Sequence, residues 1–257
     1  MSQKRALVCL PSNTIDRGLR LKDLGKVNIQ KAKRQHQSYC RALKSLGYEL
    51  ITLPANDVFP DSVFVEDPAI IIKDTLVVTR LRRAERRGEE EFVRYALSRY
   101  FNNVLKIQPP GFVEGGDVLV TDTHLYIGLS GRTNINGAIQ LAQIAKNFCG
   151  IESVMLEIPK NWLHLKGGVS FHPHQKLIIT NELICKYFTG SGYQLLPTPD
   201  NERFGANCVS DESTIYIHDH CPATKKALSN HGYLVREINF SEFKKIDGAM
   251  TCLSKLF

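Results

Sequence analysis

The sequence predicts an α/β fold assembled from repeated copies of one small strand-hairpin unit, and three observations carry that prediction. Segments with helical periodicity alternate with runs rich in Val, Ile and Leu. A polar cluster, a β-run, a short polar turn and a second β-run recur four times. The two chain ends can pair to supply a fifth copy.

Helical periodicity is clearest in Asn28 to Leu46, Glu89 to Tyr100, Thr133 to Phe148 and Pro222 to His231. The recurring units read FVEDPAIIIKDTLVVT from Phe64, FVEGGDVLVTDTHLYIG from Phe112, LHLKGGVSFHPHQKLIIT from Leu163 and GANCVSDESTIYIH from Gly205. Their starts lie about 40 to 50 residues apart, the period of a supersecondary repeat. If the units are equivalent, the polar residues leading into each inner strand meet around a common axis. Glu66, Asp67, Glu114, Asp117, His164, Lys166 and Asn207 then converge. Pairing of the C-terminal DGAMTCLSKLF beside the N-terminal strand Arg5 to Leu10 would bring Cys252 to the same place.

Composition sets the outer bounds. With 257 residues, 43% hydrophobic and 23% charged, the chain can bury a full core, and a single domain over 1–257 is expected. The first residues lack the apolar stretch of a signal peptide, and no run approaches the roughly 18 apolar residues of a membrane span. A soluble, cytoplasmic protein is the expectation. Seven widely spread cysteines, with no C-x-x-C pair and no zinc-type spacing, read as reduced thiols. The charge of +7 is scattered, and the densest run, Arg80 to Arg87, leads into Glu89-Glu90-Glu91. Those acids read as a solvated first helical turn, where the helix dipole favours them. With no stacking aromatics or nucleic-acid motif, a nucleic-acid partner is not expected.

Three residues stand out chemically. His164 sits among the apolar Trp162, Leu163 and Leu165, beside Gly167-Gly168, and reads as part of a strand. Glu114 follows Phe112-Val113 and precedes Gly115-Gly116-Asp117, so burying it requires a partner, an imidazole or a cation. Diglycine next to each admits a ligand or a second backbone at close range. Cys252 becomes a candidate nucleophile only if such a histidine and its orienting acid reach it. With Asp61, Glu66 and Asp67, the proposed centre carries surplus negative charge; without a metal motif, that selects an organic cation such as a guanidinium or amine.

Longer motifs carry a resemblance over essentially the whole chain: FPDSVFVEDP (Phe59 to Pro68), RRGE (Arg86 to Glu89 with its preceding basic run), VEGGDVL (Val113 to Leu119), YIGLSGRTN (Tyr126 to Asn134), LHLKGG (Leu163 to Gly168), ANC (Ala206 to Cys208) and KIDGAMTCLSKLF (Lys245 to Phe257). In these the sequence resembles the bacterial dimethylargininases (dimethylarginine dimethylaminohydrolases) of the guanidino-group modifying superfamily. The resemblance implies a five-bladed, pseudo-symmetric α/β propeller of ββαβ repeats. It implies that Cys252 is the nucleophile, His164 the general acid and base, and Glu114 the acid orienting the histidine. It further implies that Glu66 and Asp67 hold the guanidinium, that Asp61 and the Leu19 backbone hold the amino end, that Arg86 and Arg132 take the carboxylate, and that the Ile246 backbone touches the substrate. No cofactor or metal is implied, and a homodimer is admitted. His172 and His174 fall outside the matched pattern and are expected at the surface.

The same resemblance implies a covalent route from a methylated arginine to citrulline through a thiouronium on Cys252. Carboxylates around the thiol should raise its pKa, so a neutral thiol is expected before substrate arrives. An arginine deiminase-like enzyme acting on unmethylated arginine, or another guanidino compound, is the alternative within the superfamily. A silent binding propeller is the alternative outside it, and retention of Cys252, His164 and Glu114 together argues against that reading.

Overall fold

In the computed structural model, which describes residues 3–257, the backbone repeats one pattern: two antiparallel strands, a helical connection, and a third strand parallel to the second. The second to fifth repeats follow chain order. β1 (Arg5–Cys9), α1 (Ile29–Ser45) and β2 (Glu49–Leu53) open the chain but lack a first strand of their own. The next repeat is complete, with β3 (Ala69–Ile72), β4 (Thr75–Val78), α2 (Glu89–Leu97) and β5 (Asn103–Lys106). It is followed by β6 (Val118–Val120), β7 (His124–Leu129), α3 (Ile135–Ile144) and β8 (Glu152–Glu157). β9 (Val169–His172), β10 (Leu177–Asn181) and β11 (Gln194–Thr198) form a repeat whose connection is a short 3₁₀ turn, Cys185–Phe188, where the sequence shows no helical period. β12 (Val209–Ser210), β13 (Thr214–His218), α4 (Pro222–Asn230) and β14 (Leu234–Ile238) complete the series.

After the short α5 (Ser241–Lys244), the C-terminal β15 (Lys255–Leu256) returns to β1, pairing Ala6 with Leu256 and Leu7 with Lys255. The first repeat is thereby completed by the last residues of the chain. The result is an α/β fold with five small mixed sheets of three strands each.

Local chemistry explains the elements. α1 begins where the Asn28 side chain accepts the Lys31 N–H, satisfying a free donor of the first turn. Its buried residues Ala32, Gln35, His36, Tyr39, Ala42 and Leu43 form one face. That face packs on Ala6, Val8 and Leu253 in a common core. Asn134 caps α3 in the same way through the Gly137 N–H. The middle strands β4 and β10 are buried along their whole length. Strands buried on both faces read as near-continuous apolar runs, here Leu76, Val77 and Val78 in one and Leu177, Ile178 and Ile179 in the other.

Two local expectations change. His164 is not on a strand: its backbone leads into a 3₁₀ turn, Leu165–Gly168, and β9 begins only at Val169. The Leu165 N–H goes to the Asp117 side chain at 3.1 Å instead of to a neighbouring strand. His172 is not at the surface but 3% exposed, hydrogen-bonded to Ser170 and Ser210 and 3.4 Å from the Cys208 sulfur. Burial pushes its pKa down to about 3, so it stays neutral.

Candidate active site

Each repeat's first strand is preceded by a short polar segment, and these five segments join in a closed circuit of hydrogen bonds. The Thr251 hydroxyl donates to Glu66 at 2.9 Å. The Asp67 carbonyl accepts the Gly115 N–H, and its carboxylate accepts the Gly116 N–H at 3.1 Å. Asp117 receives the Leu165 N–H. The Asn207 amide donates to the Lys166 carbonyl at 2.6 Å and accepts the Thr251 N–H at 2.9 Å, which closes the circuit. Residues distant in sequence converge because equivalent positions of a repeated unit face the same centre.

His164 Nε2 lies 2.9 Å from Glu114 Oε2, and Glu114 is wholly buried. Diglycine makes this packing possible, since a Cβ on Gly116 would lie 2.6 Å from His164 Nδ1. Burial opposes charge on His164, but Asp67, Asp117 and Glu114 outweigh it and raise its pKa to about 9. It is therefore an imidazolium at neutral pH. Burial would raise Asp67, yet His164 and Arg86 hold it down at about 2. Asp67, Glu114 and His164 offer ligand atoms within 4.8 Å of one another, an arrangement that could hold a metal ion. All three are already engaged within the protein, Asp67 by Arg86 at 2.7 Å and Glu114 by His164 and, at 3.4 Å, Arg132.

Cys252 sits in the 3₁₀ turn Thr251–Leu253, just before β15, and its carbonyl accepts the Glu66 N–H. Burial first, then the negative charges of Glu66 and Asp67, push its thiol well above the ordinary range. A pH titration of thiolate absorbance in ligand-free protein is accordingly expected to show no ionisation of Cys252 near neutrality. Its ionisation well below pH 7, lost on Cys252→Ser, would contradict that expectation.

Two adjoining cavities share Leu163, His164, Asp247 and Cys252. One, of about 20 Å³, is lined by Leu19, Asp61, Asp67, Arg86, Arg132 and Ile246. There Asp61 accepts the Leu19 N–H at 3.1 Å, which fixes the loop carrying that backbone. The other, of about 40 Å³, is lined by Glu66, Trp162, Lys166, Arg203, Phe204 and Ala249 among others. Around Cys252 and His164 the structure thus gathers Leu19, Asp61, Glu66, Asp67, Arg86, Glu114, Arg132, Lys166 and Ile246, with Asp117 and Asn207 in the surrounding hydrogen-bond circuit.

The electrostatics differ from the acidic surplus expected. Glu66 is paired with Lys166 and Asp67 with Arg86, while Arg132 reaches Glu114; Asp61 instead accepts the Leu19 N–H. Arg86 is deeply buried, and its donors are spent on Asp67, Glu89 and the Phe64 carbonyl. Glu89 is therefore no solvated helix acid: it is 2% exposed, and burial pushes its pKa up to about 7 against the pull of Arg86. Glu89→Ala would leave a buried guanidinium short of one partner and is expected to destabilise the fold by about 3 kcal/mol in denaturant unfolding. A change near zero would show that Asp67 alone suffices.

Sequence reasoning missed Thr251, Trp162, Arg203 and Phe204 at the site. Thr251 adjoins the candidate nucleophile, and a hydroxyl inside an apolar run was its only signal. Asp247, inside the KIDGAMTCLSKLF motif, also lines the site. It adopts φ 56°, a left-handed conformation unusual outside glycine, and its carboxylate accepts the Leu21 N–H.

Comparison with known proteins places the chain among enzymes of the hydrolase class. The chain superposes on dimethylarginine dimethylaminohydrolase from Pseudomonas aeruginosa, a cysteine-to-serine variant complexed with citrulline, with a TM-score of 0.92 and 32% identity over 100% of both chains. The N-terminal domain of the arginine dihydrolase ArgZ shares the fold, with a TM-score of 0.86 at 20% identity over 99% of this chain and 97% of that domain. In sequence, the chain is 34% identical to the N(G),N(G)-dimethylarginine dimethylaminohydrolase of P. aeruginosa over 99% of each protein. It is 33% identical to that of Streptomyces coelicolor, over 99% of this chain and 97% of the relative. The eukaryotic N,N-dimethylarginine dimethylhydrolase family profile matches residues 9–182. The chain belongs to the dimethylarginine dimethylaminohydrolase family.

Proposed function

We propose that this protein hydrolyses Nω-methylated arginines to citrulline and methylamine or dimethylamine, as a single five-bladed propeller domain with Cys252, His164 and Glu114 at its centre. The observation that carries the reading is the buried His164–Glu114 pair at 2.9 Å beside a thiol that burial, and then its acidic neighbours, keep protonated. Such a site waits for a cation. A guanidinium entering next to Cys252 lowers the thiol's pKa by charge attraction, and the thiol proton leaves to solvent. The thiolate adds to the guanidinium carbon, and the His164 imidazolium donates its proton to the departing amine. The neutral imidazole then takes a proton from water, whose oxygen attacks the thiouronium carbon; citrulline departs and the thiolate is restored.

Glu66 and Asp67 favour the delocalised cation, and Glu114 holds the imidazole ring in orientation. Asp61 with the Leu19 backbone takes the amino end, Arg132 the carboxylate, and Ile246 offers its backbone to the chain of the substrate. Arg86 contributes more by fixing Asp67 and adding positive field than by a free donor, because Glu89 and Asp67 occupy its fork. The substrate is a small soluble molecule and the setting cytoplasmic in this reading; among the described residues no helix is long and apolar enough to cross a membrane.

The test compares turnover of arginine, monomethylarginine and asymmetric dimethylarginine. Fastest production of citrulline from the methylated substrates is expected. Fastest release of ammonia from arginine would instead make the protein a deiminase-like enzyme.

A further inference from the structure

The 40 Å³ cavity next to Cys252 shares Cys252, His164 and Glu66 with the reaction proposed above, and the rest of its wall has a character of its own. On one side the Arg203 guanidinium lies 4.9 Å from the ring centroids of both Trp162 and Phe204, joining the two aromatics into one stack. Trp162 is 5% exposed and wedged against Gly168, where an added Cβ would fall 2.3 Å from the indole ring. Phe204 is held from behind by His218, with ring centroids 5.6 Å apart. Leu21 and Ala249 complete the apolar surface. Polar acceptors are present, but Glu66 is engaged by Lys166 and Thr251, and Asp247 by the Leu21 N–H.

We propose that the Trp162–Arg203–Phe204 stack, with Leu21, is the specificity wall for the Nω substituent, admitting small neutral alkyl groups and disfavouring both larger ones and a bare amino group. The proposal rests on the function proposed above. The two cavities meet at Leu163, His164, Asp247 and Cys252; with the amino-acid end placed among Asp61, Leu19 and Arg132 as proposed above, what projects beyond the reacting carbon enters this second cavity. At about 40 Å³ the cavity is small, which suits a methylated nitrogen better than a longer chain. An unsubstituted nitrogen turns its N–H donors toward ring faces and aliphatic groups that accept no hydrogen bond, and leaves that apolar area unfilled. Methyl groups carry no such donors and bury apolar area against the rings. A propyl chain must displace Phe204 or Trp162, both braced by neighbours.

The test is equilibrium binding, by calorimetry, in the Cys252→Ser background, which removes turnover from the measurement. The ligands are arginine, asymmetric dimethylarginine and Nω-propylarginine. With the wall intact, dimethylarginine is expected to bind about tenfold or more tightly than either of the others. Phe204→Ala should shrink its preference over the propyl compound by about tenfold. Leu21→Ala and Trp162→Phe provide the same comparison should loss of Phe204 unfold the chain, which circular dichroism reports. Equal binding of dimethyl and propyl ligands with the wall intact, a ratio unmoved in all folded variants, or arginine binding as tightly as dimethylarginine would overturn the proposal. If the unmodified enzyme converts no methylarginine yet the binding ratios behave as described, the catalytic reading fails and the wall stands.

Discussion

Replacing Cys252 with serine is expected to abolish citrulline formation, with kcat falling at least about a thousandfold, while the fold persists. The magnitude follows from chemistry. A serine hydroxyl has no partner that could ionise it: the adjacent histidine is already an imidazolium, its pKa raised to about 9, and so cannot serve as a base at neutral pH. The thiol, though raised by burial, Glu66 and Asp67, remains far more acidic than an alcohol and responds to an incoming cation. Cys252 packs at the edge of the core shared by α1 and β1 but is only partly buried, so an isosteric change there costs little stability. Steady-state citrulline assays with circular dichroism alongside check both halves. Retained turnover would remove Cys252 from the mechanism altogether.

His164→Asn should cost between about a hundredfold and ten-thousandfold for a dimethylated substrate, the range that a positioned proton donor contributes. The substitution removes the group that protonates the leaving amine and later deprotonates water. A substrate whose leaving group departs as a stable thiolate needs no proton in the first step. With it, the variant should form its covalent adduct readily and then stall, because hydrolysis still lacks a base. Mass spectrometry of the acid-quenched protein detects that adduct. Equal loss of adduct formation with both kinds of substrate would mean that His164 only shapes the cavity. A pH consequence accompanies this. His164 is charged below its raised folded pKa, so the imidazolium contributes stability that is full below about 6.5 and disappears as pH rises through about 9. The unfolding free energy of the variant should therefore vary less across that window.

Much of this fold is legible in the sequence because the repeat imposes it. Four hairpins with similar spacing each carry a polar entry into the first strand, and local apolar runs such as Ala69–Ile72 and Leu177–Asn181 need no distant information to be read as buried strands. Even the pairing of the chain ends, Ala6 with Leu256, follows once four repeats imply a fifth. At the centre, Glu66, Asp67, Glu114 and His164 could be named because each interrupts an apolar or glycine-rich context, whereas Cys252, locally one of seven ordinary thiols, stands out only through the repeat and the family resemblance. The misreadings have a common source. His172 and Glu89 sit in polar stretches that look solvated, and only their partners, Ser170 with Ser210 for one and Arg86 for the other, account for their burial.

Repetition and polarity along the chain therefore determine that strands form, where they begin, and which polar residues gather at one point. The balance of charge at that point is set only by tertiary structure. Ion pairing depends on distances of a few ångströms between residues as far apart as Glu66 and Lys166, and no local pattern reports them. The same holds for the aromatic wall. Trp162 and Phe204 lie in different repeats, and the Arg203 guanidinium that joins them acquires its meaning only when both rings lie 4.9 Å away.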